Sequence, residues 1–470
     1  MCVQYMKIKS VQSKAPKLAF IPCGKCEECR QAKKNQWTFR LRSELEYCRK
    51  NKMRIGFFTL TYNDVHLPHL PECVFKGDYK RVPCFSRYDV RTFIDNIRKR
   101  LNELYGVSGL RYMVCSEYGS EEYTNRPHYH GLICFPSTYE KIDYSTGEVT
   151  NELLDPHEVF DLIHNQWKNG FVFPRYFDGG LDSHGYEHKP FLISGDIAGA
   201  AKYAAKYCCK DLDFQKAISG LQLDTKSILY KRSAPFHIQS RSIGLCFLQN
   251  KSSAELVKLF KQGASFVGST DLKALPIYIK NKVLFSPKYV FQECKSGDWW
   301  YDFECDKWRF RRGEGTHKRL VRREATKFFV DNVKEVFSQK CEYYEQLFSD
   351  MASPDFWKSR KIDRQFSVDI ASAYTALSSK TGFDAERLAV GFLTYYGVPR
   401  NKCFWAPPEL FYLSHYRPMR FGKMLVSDAY YDALHKVCSF LLGALHYSVN
   451  LDVAKRQKVA KLVDFYKHSI

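Results

Sequence analysis

The sequence predicts an α+β protein, with a central antiparallel sheet and flanking helices, followed by a mostly helical C-terminal region. Three observations lead there. Strand-like runs stand at Ile55–Tyr62, across Gly109–Gly119, and from His128 through Phe135. The last two are joined by only about nine residues, a length suited to an antiparallel return and too short for a parallel crossover. Helical periodicity fills the intervals between strands and dominates after residue 250. The expected organisation is a Cys-containing basic N-terminal segment (1–55), an α+β domain (56–250), and a helix-rich domain of unassigned role (251–470).

Taken in order, Arg30 to Met53 reads as a long basic helix with Trp37, Leu41, Leu45 and Cys48 on one face. Cys23, Cys26 and Cys29 precede it at a Cys-x-x-Cys-x-x-Cys spacing. With Cys2 as a fourth thiolate they form a candidate structural zinc set; the same spacing on a helix is a plain stripe. Ser86 is placed to cap a helix through Leu104, with Phe93, Ile97 and Leu101 on its inner face. Residues 136–152 are polar and suit a loop or an inserted hairpin. Asp155-Pro156 starts a helix to Trp167, and Gly170–Pro174 and Phe191–Ser194 read as short strands. Asp196 can cap an alanine-rich helix carrying Tyr203 and Tyr207. Helices segregated between strands suggest a sheet covered on one side. Further on, Lys307 to Arg323 holds eight Lys/Arg against one acid, as either a nucleic-acid contact or a solvated helix face.

The 470 residues carry a formal net charge of +21, which suits a polyanionic partner, nucleic acid or an acidic membrane surface. The 31 Tyr and 35 Phe belong mostly to cores, but rings among cations also suit single-stranded nucleic acid. Seventeen cysteines, scattered along the chain, fit free thiols in a reducing cytoplasm. Met1-Cys2-Val3-Gln4 does not open an apolar signal region. The longest apolar run, near Val437 to Val449, is broken by polar residues and too short for a bilayer, so no membrane association is expected. Neither a Walker phosphate loop nor a helicase signature is present, and any unwinding would need a partner.

The chemistry concentrates in three places. In Arg126-Pro127-His128-Tyr129-His130, strand alternation projects His128 and His130 to one face and Tyr129 to the other. Glu117, near the end of the preceding strand, returns beside them. Two neutral imidazoles and a carboxylate suit Mg²⁺ or Mn²⁺ with open coordination positions. Tyr203 and Tyr207 are i and i+4 on their helix and share a face; Lys206 and Lys210 are related in the same way. A neighbouring ammonium favours phenolate and can hold a phosphate oxygen, although an aromatic stripe with a cationic rim is also an ordinary helix pattern.

These residues carry a resemblance. Phe57-Phe58-Thr59-Leu60-Thr61-Tyr62, the His-Tyr-His strand and Tyr203-x-x-Lys206-Tyr207-x-x-Lys210 occur in the chain order of HUH endonucleases, the rolling-circle replication initiators. The double tyrosine is similar to initiators of microviruses, the small single-stranded-DNA bacteriophages. Pro22-Cys23-Gly24-Lys25-Cys26-x-x-Cys29-Arg30, Trp167–Gly170 and Gln239–Gly244 resemble the gokushovirus type in particular. The resemblance covers about residues 1–250.

It implies a sheet carrying the histidines centrally, with the tyrosine helix beside them. It also implies a metal at Glu117, His128 and His130 that binds the scissile phosphate. One tyrosine would attack phosphorus to give a 5′-phosphotyrosine and a free 3′-OH, and the second would cut the regenerated origin. Partners would be single-stranded and viral origin DNA, with host helicase and polymerase, in the bacterial cytoplasm. Two other classes stay open: a relaxase or transposase with the same chemistry, and a non-catalytic zinc-containing DNA-binding protein.

Overall fold

The computed structural model describes residues 5–359 apart from 10–17, 25, 120–125, 144, 182–184, 186, 210–211, 267–268, 294–298, 303–306 and 311–315, and scattered residues beyond. The chain divides into two units, one of residues 30–250 with 297–312, the other of 1–29, 251–296 and 313–470. Among the described residues no helix is long and apolar enough to cross a membrane.

In chain order, β1 (Tyr5–Lys9) pairs with β2 (Leu18–Pro22), and α1 (Glu27–Lys50) follows. Next come β3 (Met53–Tyr62), α2 (Arg87–Tyr105), β4 (Arg111–Tyr118) and β5 (Pro127–Pro136). The polar stretch after β5 folds as a hairpin, β6 (Thr138–Ile142) with β7 (Val149–Leu153). Then follow α3 (Pro156–Gln166), β8 (Gly170–Phe173), the two-residue pair β9 (Gly180–Leu181) and β10 (Glu187–His188), and α4 (Ile197–Tyr207). Helices α5 (Leu212–Ala217) and α6 (Ile228–Ser233) lead to β11 (His237–Gln239).

One five-stranded sheet, ordered β11-β4-β5-β3-β8 and antiparallel throughout, organises this unit. The caps follow the sequence. Ser86 Oγ accepts from Asp89 N at the start of α2, and Asp155 and Asp196 accept likewise at α3 and α4, satisfying amides that the first helical turn leaves open. Phe191–Ser194 does not extend into a strand. It makes a single bridge, Gly56↔Leu192, because β8 already occupies the other half of the β3 edge.

Both faces of the sheet are covered, not one. On one face Phe58, Leu60, Val114, Tyr129, Ile133 and Phe135 pack with Phe93, Ile97 and Leu101 of α2 and Phe160 and Ile163 of α3. On the other, Ile55, Met113, Cys115, Leu132 and Cys134 pack with the Trp37–Leu41–Leu45–Cys48 stripe of α1 and the alanines of α4. The unbroken apolar run Leu132–Phe135 carries that signal, since a strand buried on both faces does not alternate. Gly131 lies on the α2 face, where an added Cβ would overlap the Phe58 ring.

In the other unit, α7 (Ser253–Gln262) opens with a capping box from Ser252 and Glu255, and α8 (Ile277–Leu284) follows. Strands then interrupt the helices. β12 (Phe285–Glu293) pairs with β15 (Thr316–Ala325), and β13 (Trp299–Asp302), whose residues group with the sheet unit, pairs with β14 (Lys307–Phe310). The described part of the basic stretch 307–323 is therefore extended rather than helical; its β-branched and aromatic residues favour that state. Beyond lie α9 (Lys327–Val336), α10 (Ser338–Asp350) and α11 (Pro354–Lys358), with Phe329 and Val333 packed against Leu284 and Phe285.

Candidate active site

The sheet register assembles the site. Residue Glu117 of β4 stands opposite His128 of β5, and His128 stands opposite Thr61 of β3. One step along, Cys115, His130 and Thr59 form the adjoining row. All six belong to the face covered by α1 and α4, because alternate residues share a face.

His130 Nε2 lies 2.6 Å from Glu117 Oε2, and its Nδ1 lies 2.9 Å from Thr59 Oγ1. The chemistry of these partners sets the tautomer: the carboxylate accepts from Nε2–H and the hydroxyl donates to Nδ1. His128 is more withdrawn. Its Nδ1 is buried with no hydrogen-bond partner. Burial, then the neighbouring His130, lowers its pKa below the usual imidazole value, so it is held as the neutral, ligating form at neutral pH.

Helix α4 brings its tyrosines over this row. The rings of Tyr207 and His130 stack with centroids 3.9 Å apart and 20° between planes. Tyr203 meets Tyr207 edge-on at 5.0 Å and Phe57 edge-on at 5.4 Å. The two phenols differ in access: Tyr203 is 47% exposed and Tyr207 only 6%. Burial foremost, then the Tyr203 hydroxyl, Tyr203 itself, the Glu117 carboxylate and the Cys115 thiol, raises the Tyr207 phenol well above its ordinary pKa. Neutral Tyr207 is therefore the resting state. Lys206 is exposed on the same helix. Lys210 lies outside the described residues.

The donor set fits a divalent cation in part. Glu117 and His130 already meet through the atoms that would share an ion, and His128 offers an orphaned nitrogen. The three are not gathered to coordination distance: among the described residues only Cys23, Cys26 and Cys29 bring three ligand atoms within 4.8 Å of one another. There the Cys26 amide donates to Cys23 Sγ at 3.2 Å, and burial foremost pushes the Cys26 thiol up to about 12. Cys2 lies outside the described residues.

Sequence reasoning missed three contributors. Thr59, read as a DNA-shaping residue, instead orients His130. Asp64, left unassigned, pairs with Arg126 at 2.7 Å just before the histidine strand. Phe171 of β8 stands opposite Thr61, in the same row as His128 and Glu117, and is 52% exposed; the Arg175 guanidinium lies 5.9 Å from its ring. The pairing of β8 with β3 was the missing information, and no local spacing supplies it.

The profile of one protein family, the replication-associated protein ORF2 family, matches residues 55–212, about a third of the chain. The matched span contains Glu117, His128, His130 and both α4 tyrosines. No curated protein and no solved structure gives a significant match.

Proposed function

We propose that this protein is a replication initiator that nicks single-stranded origin DNA through a tyrosine nucleophile and a divalent metal, and later rejoins the strands. The observation that carries the reading is the stacking of Tyr207 on His130, which sets a candidate nucleophile against the histidine–carboxylate row. The match of residues 55–212 to a replication-associated family supports it.

Glu117, His128 and His130 would hold Mg²⁺ or Mn²⁺, which supplies neutralisation of charge on a phosphate oxygen. The tyrosine Oη gives up its proton and forms a bond to phosphorus, and the 3′-oxygen leaves as the hydroxyl. The products are a 5′-phosphotyrosine and a free 3′-OH able to prime a polymerase; the phosphodiester energy is kept for rejoining. Exposed Tyr203 is placed for the first attack and buried Tyr207 for the second. Lys206, and Lys210 beyond it, would stabilise phenolate or phosphate. The microvirus type, action in the bacterial cytoplasm, and host helicase and polymerase as partners belong to the same proposal.

The second reading is a zinc-containing DNA-binding protein without catalysis, favoured by the gathered thiols of Cys23, Cys26 and Cys29. An origin-region oligonucleotide incubated with protein and Mn²⁺ separates the two. A denaturant-resistant adduct mapped to Tyr203 or Tyr207 and lost with chelator supports the nickase. Tight binding with no adduct, across oligonucleotides tiling the genome, supports the alternative.

A further inference from the structure

The far end of the sheet holds a second feature. A cleft of about 900 Å³ opens between the outer face of α2, the start of β4 and the edge strand β11. Its lining includes Arg91 and Arg98 of α2, Arg111 and Arg241, against a single carboxylate, Asp95. Two rings, Tyr88 and Tyr112, join them. Tyr88 is 59% exposed, while Tyr112 is half-buried and feels the charges of Arg98, Asp95 and Arg91.

The cleft is separate from the candidate active site. Tyr112 and Glu117 are five residues apart on β4, about 17 Å at strand rise, and their side chains leave opposite faces of the sheet. Arg111 is anchored, with Nε 2.6 Å from Glu44 Oε1 and an Nη donating to the Arg241 carbonyl at 2.9 Å. That pair fixes the wall from which the Arg241 side chain projects.

We infer that this cleft binds a second stretch of single-stranded DNA, away from the scissile phosphate, with arginines on successive phosphates and the tyrosines against bases. Guanidiniums suit phosphate by geometry as well as charge, and aromatic faces accept any base. Arg91 and Arg98 are seven residues apart, about 10 Å along the helix, a span that suits successive phosphates of a strand rather than the one phosphate of a mononucleotide. A duplex is too wide to seat its bases on Tyr112. The inference uses only the nucleic-acid-binding part of the proposed function and needs no cleavage.

The test is fluorescence anisotropy of full-length protein with labelled dT30 between 50 and 200 mM NaCl, in the absence of divalent metal. Arg98→Ala/Arg241→Ala, both at exposed positions, should weaken binding about tenfold and flatten the salt dependence by about 1.4 in log–log slope, the value for two lost phosphate contacts on a single strand. Tyr88→Ala should weaken binding about fivefold, as lost stacking does, with the slope unchanged. Both variants should unfold at the parent temperature. Unchanged affinity and slope in the double variant overturn the cleft, even where the tyrosine adduct still forms. Displacement of dT30 by millimolar dTMP would make it a mononucleotide pocket and also overturn the inference, as would an equal loss of duplex binding.

Discussion

The two faces of the central sheet are built from the same strands and behave differently. Facing α2, Tyr129 is fully buried. Its hydroxyl accepts from the Ser86 amide at 2.9 Å and lies 3.1 Å from the Tyr62 hydroxyl, which donates to Asp89 at 2.7 Å. Every polar atom of that group ties β5 to the start of α2. Facing α4, its neighbours His128 and His130 keep one nitrogen without a partner and place an aromatic stack at the mouth of a half-open row. A satisfied network fixes one structure, while an incompletely satisfied one marks a place prepared for something else. The pleat separates the two tasks by one residue.

The largest effect should come from emptying the structural face. Tyr129→Ala removes a fully buried ring and strands its hydrogen-bond partners, and should cost about 3–5 kcal/mol in denaturant unfolding. A loss below about 1 kcal/mol would show that the aromatic core does not depend on it.

Acid should act on the other face. His237 stands opposite Cys115 on β11 and packs edge-on against Trp37 at 4.9 Å. Burial foremost, then Lys33, Arg40 and Arg87, lowers its pKa to about 4, against about 6.5 unfolded. Between these values the unfolded chain binds more protons, so stability falls as pH drops from 6.5 towards 4, by as much as about 3 kcal/mol. His237→Gln should flatten that part of the pH–stability curve; an unchanged curve would assign it to other groups.

Gly244 tests how α1 is held on that face. Its φ is 79°, its amide donates to Glu44 Oε2 at 2.7 Å, and an added Cβ would sit 2.8 Å from Arg40 Cα. Gly244→Ala should cost about 2 kcal/mol, from left-handed backbone and the displaced helix together. Thermal unfolding reads it directly, and a neutral result would mean that the loop relaxes freely.

The smallest change is Thr59→Val, which keeps shape and removes the partner of His130 Nδ1. Loss of an orienting contact of this kind typically costs about 10-fold or more in activity. Adduct formation should slow by about that factor with unfolding unaltered; equal rates would make Thr59 a packing residue.

What the sequence reveals follows the range of the interaction. His-Tyr-His alternation, the Ser86 cap and the Tyr203–Tyr207 spacing are local, and each stands where its period puts it. Thr59 beside His130 depends on the register of two strands about seventy residues apart, which the period alone does not determine. The Glu44–Gly244 bond spans 200 residues, so the role of Gln239–Gly244 in docking α1 was hidden, and with it the covering of the second face. The β12–β15 pairing was missed because a run of cations with interleaved aromatics has no decisive period. The withdrawn position of His128 depends on side-chain geometry that no spacing encodes.

The division between the faces is tested most directly by a matched pair of variants on adjacent residues, His130→Gln and Tyr129→Phe. Each is measured for covalent adduct formation on an origin oligonucleotide with Mn²⁺ and for unfolding free energy. The account predicts that His130→Gln loses the adduct by about 1,000-fold or more at near-parent stability. Tyr129→Phe should keep the adduct while losing about 1–2 kcal/mol. An adduct formed at the parent rate by folded His130→Gln would contradict it.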